Sequence, residues 1–203
     1  MIIEMRSYDM VPGAVPEYEK EFARCIDYRM QFSKLAAFWH TEVGPLNRVI
    51  HVWPYENAGE RDRIRAEATK PGSWPPGKTE LIVNQEVKIL DAAPFSPPIA
   101  PAEHGIYEIR TYTVTPGKMN DVIKGWAPMI AERTKYSPLI FAGATGVGPL
   151  NQWVHVWGYK DLAERAAVRR EVTAKGIWPP PVSEHYVKQD NMIVLPATFS
   201  PLS

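Results

Sequence analysis

One cysteine, Cys25, stands in a chain of 203 residues. A single thiol excludes an intrachain disulfide, a multi-cysteine zinc site and an iron–sulfur cluster, and it suits a reducing compartment. Net charge is missing too, since 23 Lys and Arg balance 23 Asp and Glu. A protein that tracks phosphates needs a cationic field and a membrane-surface protein needs clustered cations, so neither nucleic acid nor membrane is an expected partner. No apolar run approaches the ~20 residues that cross a bilayer. The opening MIIEMRSYDM alternates like a strand, where a secretory signal would show a charged segment and then an apolar one. A cytoplasmic protein is expected. GxGxxG, Walker, GxSxG and HExxH motifs are all lacking, and no metal or other cofactor is expected.

Prolines and tryptophans are plentiful, 20 and 7, and their placement follows from a repeat. IIEMRSYDMVPG from Ile2 lies over IYEIRTYTVTPG from Ile106, and GPLNRVIHVWPY from Gly44 lies over GPLNQWVHVWGY from Gly148. SWPP from Ser73 lies over IWPP from Ile177, and FSP recurs at Phe95 and Phe199. One gapless offset of 104 residues serves every match, with about 39 of 98 aligned positions identical. The period is too long for a solenoid, so each copy is a small domain. The expected units are 1–98 and 105–203, joined by the linker 99–104 within the proline-rich FSPPIAPAEH.

Each copy opens with an alternating strand, Ile3–Met10 or Tyr107–Val114, that ends at Pro-Gly. A helical stripe follows, Tyr18, Phe22, Cys25 and Ile26 in the first copy and Met119, Val122, Ile123, Trp126 and Ile130 in the second, where Pro128 is expected to kink it. Two strands flank the turns Gly44–Asn47 and Gly148–Asn151 as a hairpin. A second helix begins at Asn57 or Asp161, with Glu60 or Glu164 three residues on as in a capping box. A last strand runs near Thr79–Leu90 and Ser183–Leu195. The order strand, helix, strand, strand, helix, strand is that of a ferredoxin-like unit. Its helices cover one sheet face and leave the other bare. Two such units covering each other sheet to sheet make an α+β fold, two tandem βαββαβ units forming an intrachain dimeric α/β barrel.

Alternation places Ile3 and Met5 on one face of the first strand, with Glu4, Arg6 and Tyr8 on the other. The second copy repeats this with Tyr107 and Ile109 against Glu108, Arg110 and Tyr112. On the third strand Ile50 and Val52 oppose His51, Trp53 and Tyr55, repeated as Val154 and Val156 against His155, Trp157 and Tyr159. The apolar rows are expected to meet the helices, and the Glu-x-Arg-x-Tyr and His-x-Trp-x-Tyr rows to face the space between the units. A structural account pairs Glu4 with Arg6 and lets the rings fill volume. A functional account makes that space a pocket, with His51 or His155 as proton shuttle and Arg6 or Arg110 holding an anionic group. Glu4, Tyr8, Trp53, Tyr55, Glu108, Tyr112, Trp157 and Tyr159 would then be its binding walls. Trp74 and Trp178 read as loop anchors and Cys25 as a small buried hydrophobe. His40 and Glu42 face Ala144 and Gly146 in the overlay, a possible strand-edge pair private to the first copy. The alternating charges of Glu60–Arg63 read as a solvated helix face.

The Glu4–Tyr8 strand, the Gly44–Tyr55 block and Glu60-Arg61, with their copies at Glu108–Tyr112, Gly148–Tyr159 and Glu164-Arg165, resemble the NIPSNAP family over nearly the whole chain. The resemblance implies the dimeric α/β-barrel fold and carries no catalytic residues with it. The leading expectation is a protein that binds a small molecule or a protein partner, a second copy of itself included, through the inter-sheet interior or the outer surface. The alternative is a cofactor-independent monooxygenase or isomerase, with a His base and an Arg anion holder; a haem-binding variant is a third.

Overall fold

The first unit is β1 (Ile2–Met10), α1 (Val15–Met30), β2 (Ala37–Val43), β3 (Arg48–Tyr55), α2 (Ala58–Thr69) and β4 (Ile82–Ala92), in a computed structural model that describes residues 1–70 and 72–203. The second is β5 (Ile106–Val114), α3 (Met119–Arg133), β6 (Leu139–Val147), β7 (Gln152–Tyr159), α4 (Leu162–Ala174) and β8 (Tyr186–Pro196). The βαββαβ order is the one the sequence implies.

Local chemistry sets the boundaries. In the hairpin turns Gly44 (φ 130) and Asn47 (φ 54), like Gly148 and Asn151, take the left-handed backbone that glycine and asparagine tolerate. A Cβ on Gly44 would lie 2.9 Å from Cβ of Met192 in the other unit, so the turn also needs glycine for strand approach. The Asn57 and Asp161 side chains cap α2 and α4 by accepting from the N–H of Glu60 (3.0 Å) and Glu164 (2.7 Å). Glu60 and Glu164 reach back to the N–H groups of Glu56 and Lys160, one residue earlier than in a capping box. α3 runs on through Pro128. The last strands start later than their alternation suggests, because single 3-10 turns occupy Thr79–Leu81 and Ser183–His185.

Within each unit the sheet order is β4-β1-β3-β2 or β8-β5-β7-β6, and the edges join: β2 pairs with β8 and β4 with β6. Eight antiparallel strands close into a barrel, which leaves no open edge. The two bare faces become the barrel's inside. That inside holds Ile3, Met5, Ile50 and Val52 from one unit and Tyr107, Ile109, Val154 and Val156 from the other, with Trp39 and Phe141. The rows expected to meet the helices therefore fill the interior, and the Glu-x-Arg-x-Tyr and His-x-Trp-x-Tyr rows lie under the helices. Tyr8, Trp53 and Tyr55 pack with Tyr18, Phe22, Ile26 and Ile64 of α1 and α2; Tyr112, Trp157 and Tyr159 do the same in the second unit. The face assignment is thus reversed. A barrel interior is sealed from water on every side and tolerates only apolar filling, whereas the helix layer stays reachable from solvent at its open end.

The FSP segments are exchanged between units. Phe199 stacks on Phe22 (5.8 Å, 16°) and packs on Phe38, while Phe95 packs edge-on against Trp153 (6.1 Å). Ser200 Oγ accepts from the Phe38 N–H and Ser96 Oγ from the Ala142 N–H, both at 3.0 Å. The linker then pairs with the C-terminal residues through Ala102 and Leu202, and Ile99, Ala102 and Leu202 pack against the barrel filling. No helix among the described residues is long and apolar enough to cross a membrane.

Phe199→Ala removes an aromatic plug that one unit lends to the other. A loss of about 2 kcal/mol is expected in urea unfolding, since the ring is half-buried and a fully buried one would cost more. A loss below about 0.5 kcal/mol would show the exchanged tail to be dispensable.

Candidate functional site

Between the sheet and the helices of each unit lies a cleft closed on one side by the Trp-Pro-Pro loop. The first encloses about 230 Å³ and is lined by Arg6, Tyr8, Tyr18, Phe22, Arg29, His51, Trp53, Arg65, Trp74, Pro75, Pro76, Thr79, Ile82 and Gln85. The second encloses about 300 Å³ and is lined by Arg110, Tyr112, Trp126, Arg169, Val172, Thr173, Trp178, Pro179, Pro180, Ser183, Tyr186 and Gln189. A wider, open hollow of about 540 Å³ near the linker, with Glu103, His104 and Lys160 on its wall, has no comparable gathering of cations.

The cations come from three elements. α1 is amphipathic through Tyr18, Phe22, Ile26 and, one turn further, Arg29. α2 turns Arg61, Ile64, Arg65 and Ala68 inward at i, i+3, i+4, i+7 spacing, so half of its inner stripe is guanidinium. β1 adds Arg6 directly opposite His51 on β3. At the centre is Glu4, wholly buried. Its Oε1 accepts from Arg61 (2.6 Å) and Arg6 (3.1 Å), and Arg65 lies 3.8 Å away; its Oε2 is buried with no hydrogen-bond partner among the described residues. In the second unit Glu108 Oε1 accepts from Arg165 (2.5 Å), Arg110 (2.7 Å) and Asn191 (3.3 Å), while Oε2 has Arg169 at 3.9 Å and no hydrogen-bond partner among the described residues. Arg61 is therefore not on the solvated face that its alternating neighbours suggest; Arg63 and Asp62 are.

Arg29 and Arg133 were not foreseen. Each is 2% exposed and meets only neutral partners: Tyr55 and Ser33 hydroxyls at 3.0 and 2.8 Å, or Tyr159 and Ser137 at 3.1 and 2.9 Å. Their guanidiniums lie over the Trp53 and Trp157 rings at 4.4 and 4.2 Å. Among the described residues no carboxylate forms an ion pair with either. Three guanidiniums thus converge on one buried carboxylate in each unit, with Arg29 or Arg133 as a fourth buried cation outside the pairing, and in the first unit Arg61 also pairs with the exposed Asp62 (2.6 Å). The buried charge is in excess on the positive side in a chain with no net charge overall.

The histidines sit deeper. His51 Nδ1 accepts from Trp53 Nε1 at 2.6 Å, and His155 Nδ1 from Trp157 Nε1 at 2.7 Å. An indole N–H only donates, so the ring hydrogen resides on Nε2, which is buried in both units without a hydrogen-bond partner among the described residues. Burial, and then the charges of the nearby arginines, hold both imidazoles well below their ordinary pKa. Each ring is neutral, with its one lone pair engaged, and offers a donor hydrogen. Glu108 is the reverse case. Burial would push its carboxyl up, but the hydrogen bond from Arg165 and the charges of Arg110, Arg165 and Arg169 outweigh it and hold the group below the usual range.

All twelve residues singled out in the sequence lie on the helix face of their sheets, six per unit. The clefts themselves are lined by Arg6, Tyr8, His51 and Trp53 in one unit and by Arg110 and Tyr112 in the other. Trp74 and Trp178 are anchors and cleft walls at once, packed against Phe22 and Trp126. Cys25 is buried on α1, with burial raising its thiol pKa. His40 pairs with Glu19 of α1 (2.7 Å), not with Glu42. Identity at 29/133, 61/165 and 65/169 was the available signal for the missed arginines. Among the described residues no three His, Cys, Asp or Glu side chains gather to hold a metal ion.

Residues 3–97 and 107–201 each match the NIPSNAP family model. The human protein NipSnap homolog 3A is 30% identical over 98% of this chain and 85% of its own length. Among solved structures, a candidate monooxygenase of Lactobacillus acidophilus superposes with a TM-score of 0.65 at 11% identity, over 96% of this chain and 92% of that one. An anthrone oxidase-like protein also gives 0.65, at 10% identity over 98% and 93%. At such identity these two likenesses show the fold alone.

A neutral buried imidazole has a depressed folded pKa. It contributes stability above the unfolded pKa near 6.5 and loses it as pH falls below that value. Stability from pH 8 to pH 5 is expected to drop below pH ~6.5 with a slope of at most about 1.4 kcal/mol per pH unit for each ring. The double variant His51→Gln, His155→Gln should flatten this limb. The Glu108 contribution is separate: present above pH ~4.5, it fades as pH falls through the lower folded value. An unchanged profile in the double variant would refute neutral, buried histidines.

Proposed function

We propose a binding role for this chain, which belongs to the NIPSNAP family: each unit takes a small organic anion with an aromatic or acyl body into the cleft beneath its helices. The observation that carries the reading is the set of four guanidiniums, three on one buried carboxylate and a fourth with no carboxylate partner among the described residues, repeated in both units. A buried cation without a counter-ion is costly, and among the described residues Arg29 and Arg133 pair with hydroxyls and indole faces and with no carboxylate. An incoming carboxylate would supply the missing charge. Arg6 and Arg65, or Arg110 and Arg169, stand at the cleft wall with their side chains partly exposed, so they are the groups to receive it. Tyr8, Phe22 and Trp74, or Tyr112, Trp126 and Trp178, would clasp the apolar body.

In this reading Arg6 and Arg110 keep the anion-holding role that their strand position suggested. The histidines act as fixed donors and spacers under the cleft and not as bases, because the lone pair of Nδ1 is taken. The ligand enters the helix layer and not the barrel interior, which is filled. The single buried thiol suits a reducing compartment such as the cytoplasm.

Isothermal titration and thermal shift with benzoate, phenylacetate and 2-naphthoate test the proposal. Saturable binding at two sites per chain is expected, weakening as salt rises. Arg65→Gln together with Arg169→Gln should lower affinity at least tenfold, as expected for losing a charge-assisted hydrogen bond. Absence of saturable binding by every acid would sink the proposal.

A further inference from the structure

The two clefts are copies, yet their walls differ. Phe22, Thr79 and Ile82 in the first correspond to Trp126, Ser183 and Tyr186 in the second, and Tyr18, which lines the first, is matched by Val122, which does not line the second. We infer that the second cleft is specialised for aromatic acids that carry a hydrogen-bond acceptor next to the carboxylate, such as 2-oxo acids, and that Tyr186 is its specificity-determining residue. This rests on the reading of both clefts as organic-anion sites.

The geometry is as follows. Trp126 Nε1 donates to the Tyr186 hydroxyl at 2.8 Å. The indole can only donate, so it fixes the phenol oxygen as acceptor and leaves the phenol's own proton to point elsewhere. Among the described residues that proton finds no acceptor, and Tyr186 lines the cleft. Its ring lies edge-on to Tyr112 at 4.9 Å, and the Tyr112 hydroxyl in turn accepts from Arg110 Nε at 2.5 Å. The free O–H donor therefore faces the same cleft as the guanidinium that would hold the carboxylate. An acceptor one carbon from that carboxylate is the ligand feature it can meet. Burial pushes the Tyr186 hydroxyl up to about 12, so it remains a neutral donor across the physiological range.

The first cleft lacks this device. Ile82 occupies the equivalent strand position and Phe22 the equivalent helix position, and neither has a polar atom. Its second phenol comes from α1 as Tyr18, edge-on to Tyr8 at 6.2 Å, and no hydrogen bond among the described residues fixes its hydroxyl. A donor that is pinned in place discriminates between ligands with and without the matching acceptor, because the wrong ligand leaves it unsatisfied. The first cleft is accordingly the one that accepts plain aryl acids without preference.

Phenylglyoxylate and phenylacetate are a matched pair, differing by C=O in place of CH2 beside the carboxylate. Arg65→Gln leaves the second cleft as the working one, and Arg169→Gln leaves the first. Titrated into Arg65→Gln, phenylglyoxylate is expected to bind about fivefold tighter than phenylacetate, the worth of one neutral hydrogen bond. That ratio should fall to about one when Tyr186→Phe is added, with phenylacetate affinity unchanged. In Arg169→Gln it should be about one from the outset. Equal ratios in the two clefts, or a ratio that survives Tyr186→Phe, would overturn the inference while leaving the anion sites standing. Saturation by neither acid in either single variant or in the unaltered protein would take down the binding reading and this inference with it.

Discussion

Pairing of β2 with β8 and of β4 with β6 fixes which side chain goes where in the rest of the molecule. Once those edges join, the bare faces of both sheets enclose a volume that water cannot enter. No charge can be desolvated there without a partner, and no partner can reach it from the helices, which are on the outside. The interior must be apolar. Ile3, Met5, Ile50, Val52 and their counterparts in the other unit meet that demand, with Trp39 and Phe141 filling what remains. The Glu-x-Arg-x-Tyr and His-x-Trp-x-Tyr rows are consequently directed into the helix layer, while charged residues on the barrel-facing side pair with one another where they keep some exposure, as Asp9 with Arg48 and Glu86 with Lys88.

That layer must accept charges, and its sequence is built for it. α2 and α4 spend half their inner stripes on arginine, at 61 and 65 or 165 and 169, and these long side chains bury their stems while their heads converge on Glu4 or Glu108. Neither Glu4, even with Asp62 at the edge of the layer, nor Glu108 balances them. Arg29 and Arg133 deepen the imbalance, held by cation–π contact and hydroxyls. The histidines stay neutral first because they are wholly buried and then because a second positive charge beside Arg6 or Arg110 is unfavourable. Barrel closure, cation clustering and imidazole neutrality are one chain of consequences.

Much of this was legible in the sequence. The gapless repeat gave the two units, and turn and cap residues such as Gly44, Asn47, Asn57 and Asp161 gave most element boundaries. The alternation of Glu4, Arg6 and Tyr8 against Ile3 and Met5 showed two faces, but alternation carries no sign: it separates the faces without saying which meets the helices. The usual guide, that apolar rows face the helices, fails when both faces are buried and the more completely sealed side is the one between sheets. Arg61 and Arg65 escaped notice for a related reason. Set among Glu60, Asp62 and Arg63, they read as solvent-exposed charge, and only the presence of Glu4 across the layer draws them inward. Arg29 lay on the predicted stripe of α1, one turn past Ile26, where an arginine reads as the end of the stripe and not as its continuation.

Duplication inside one chain permits something that a symmetric pair of separate chains cannot achieve: each half can change alone. The charge set has not changed, with Glu4, Arg6, Arg29, Arg61 and Arg65 all matched in the second unit. The walls have. Phe22 has become Trp126, Ile82 Tyr186 and Val49 Trp153, or the reverse, and the second helix layer has gained a cluster of indoles around His155. The exchanged Phe95 and Phe199 lean on Trp153 and Phe22, so each layer is completed by a residue from the other unit. A change in one wall must therefore be accommodated by a tail belonging to the other half. Retained charge with divergent walls is the pattern expected where the anion-holding requirement is common to both halves and the shape of what is held is not.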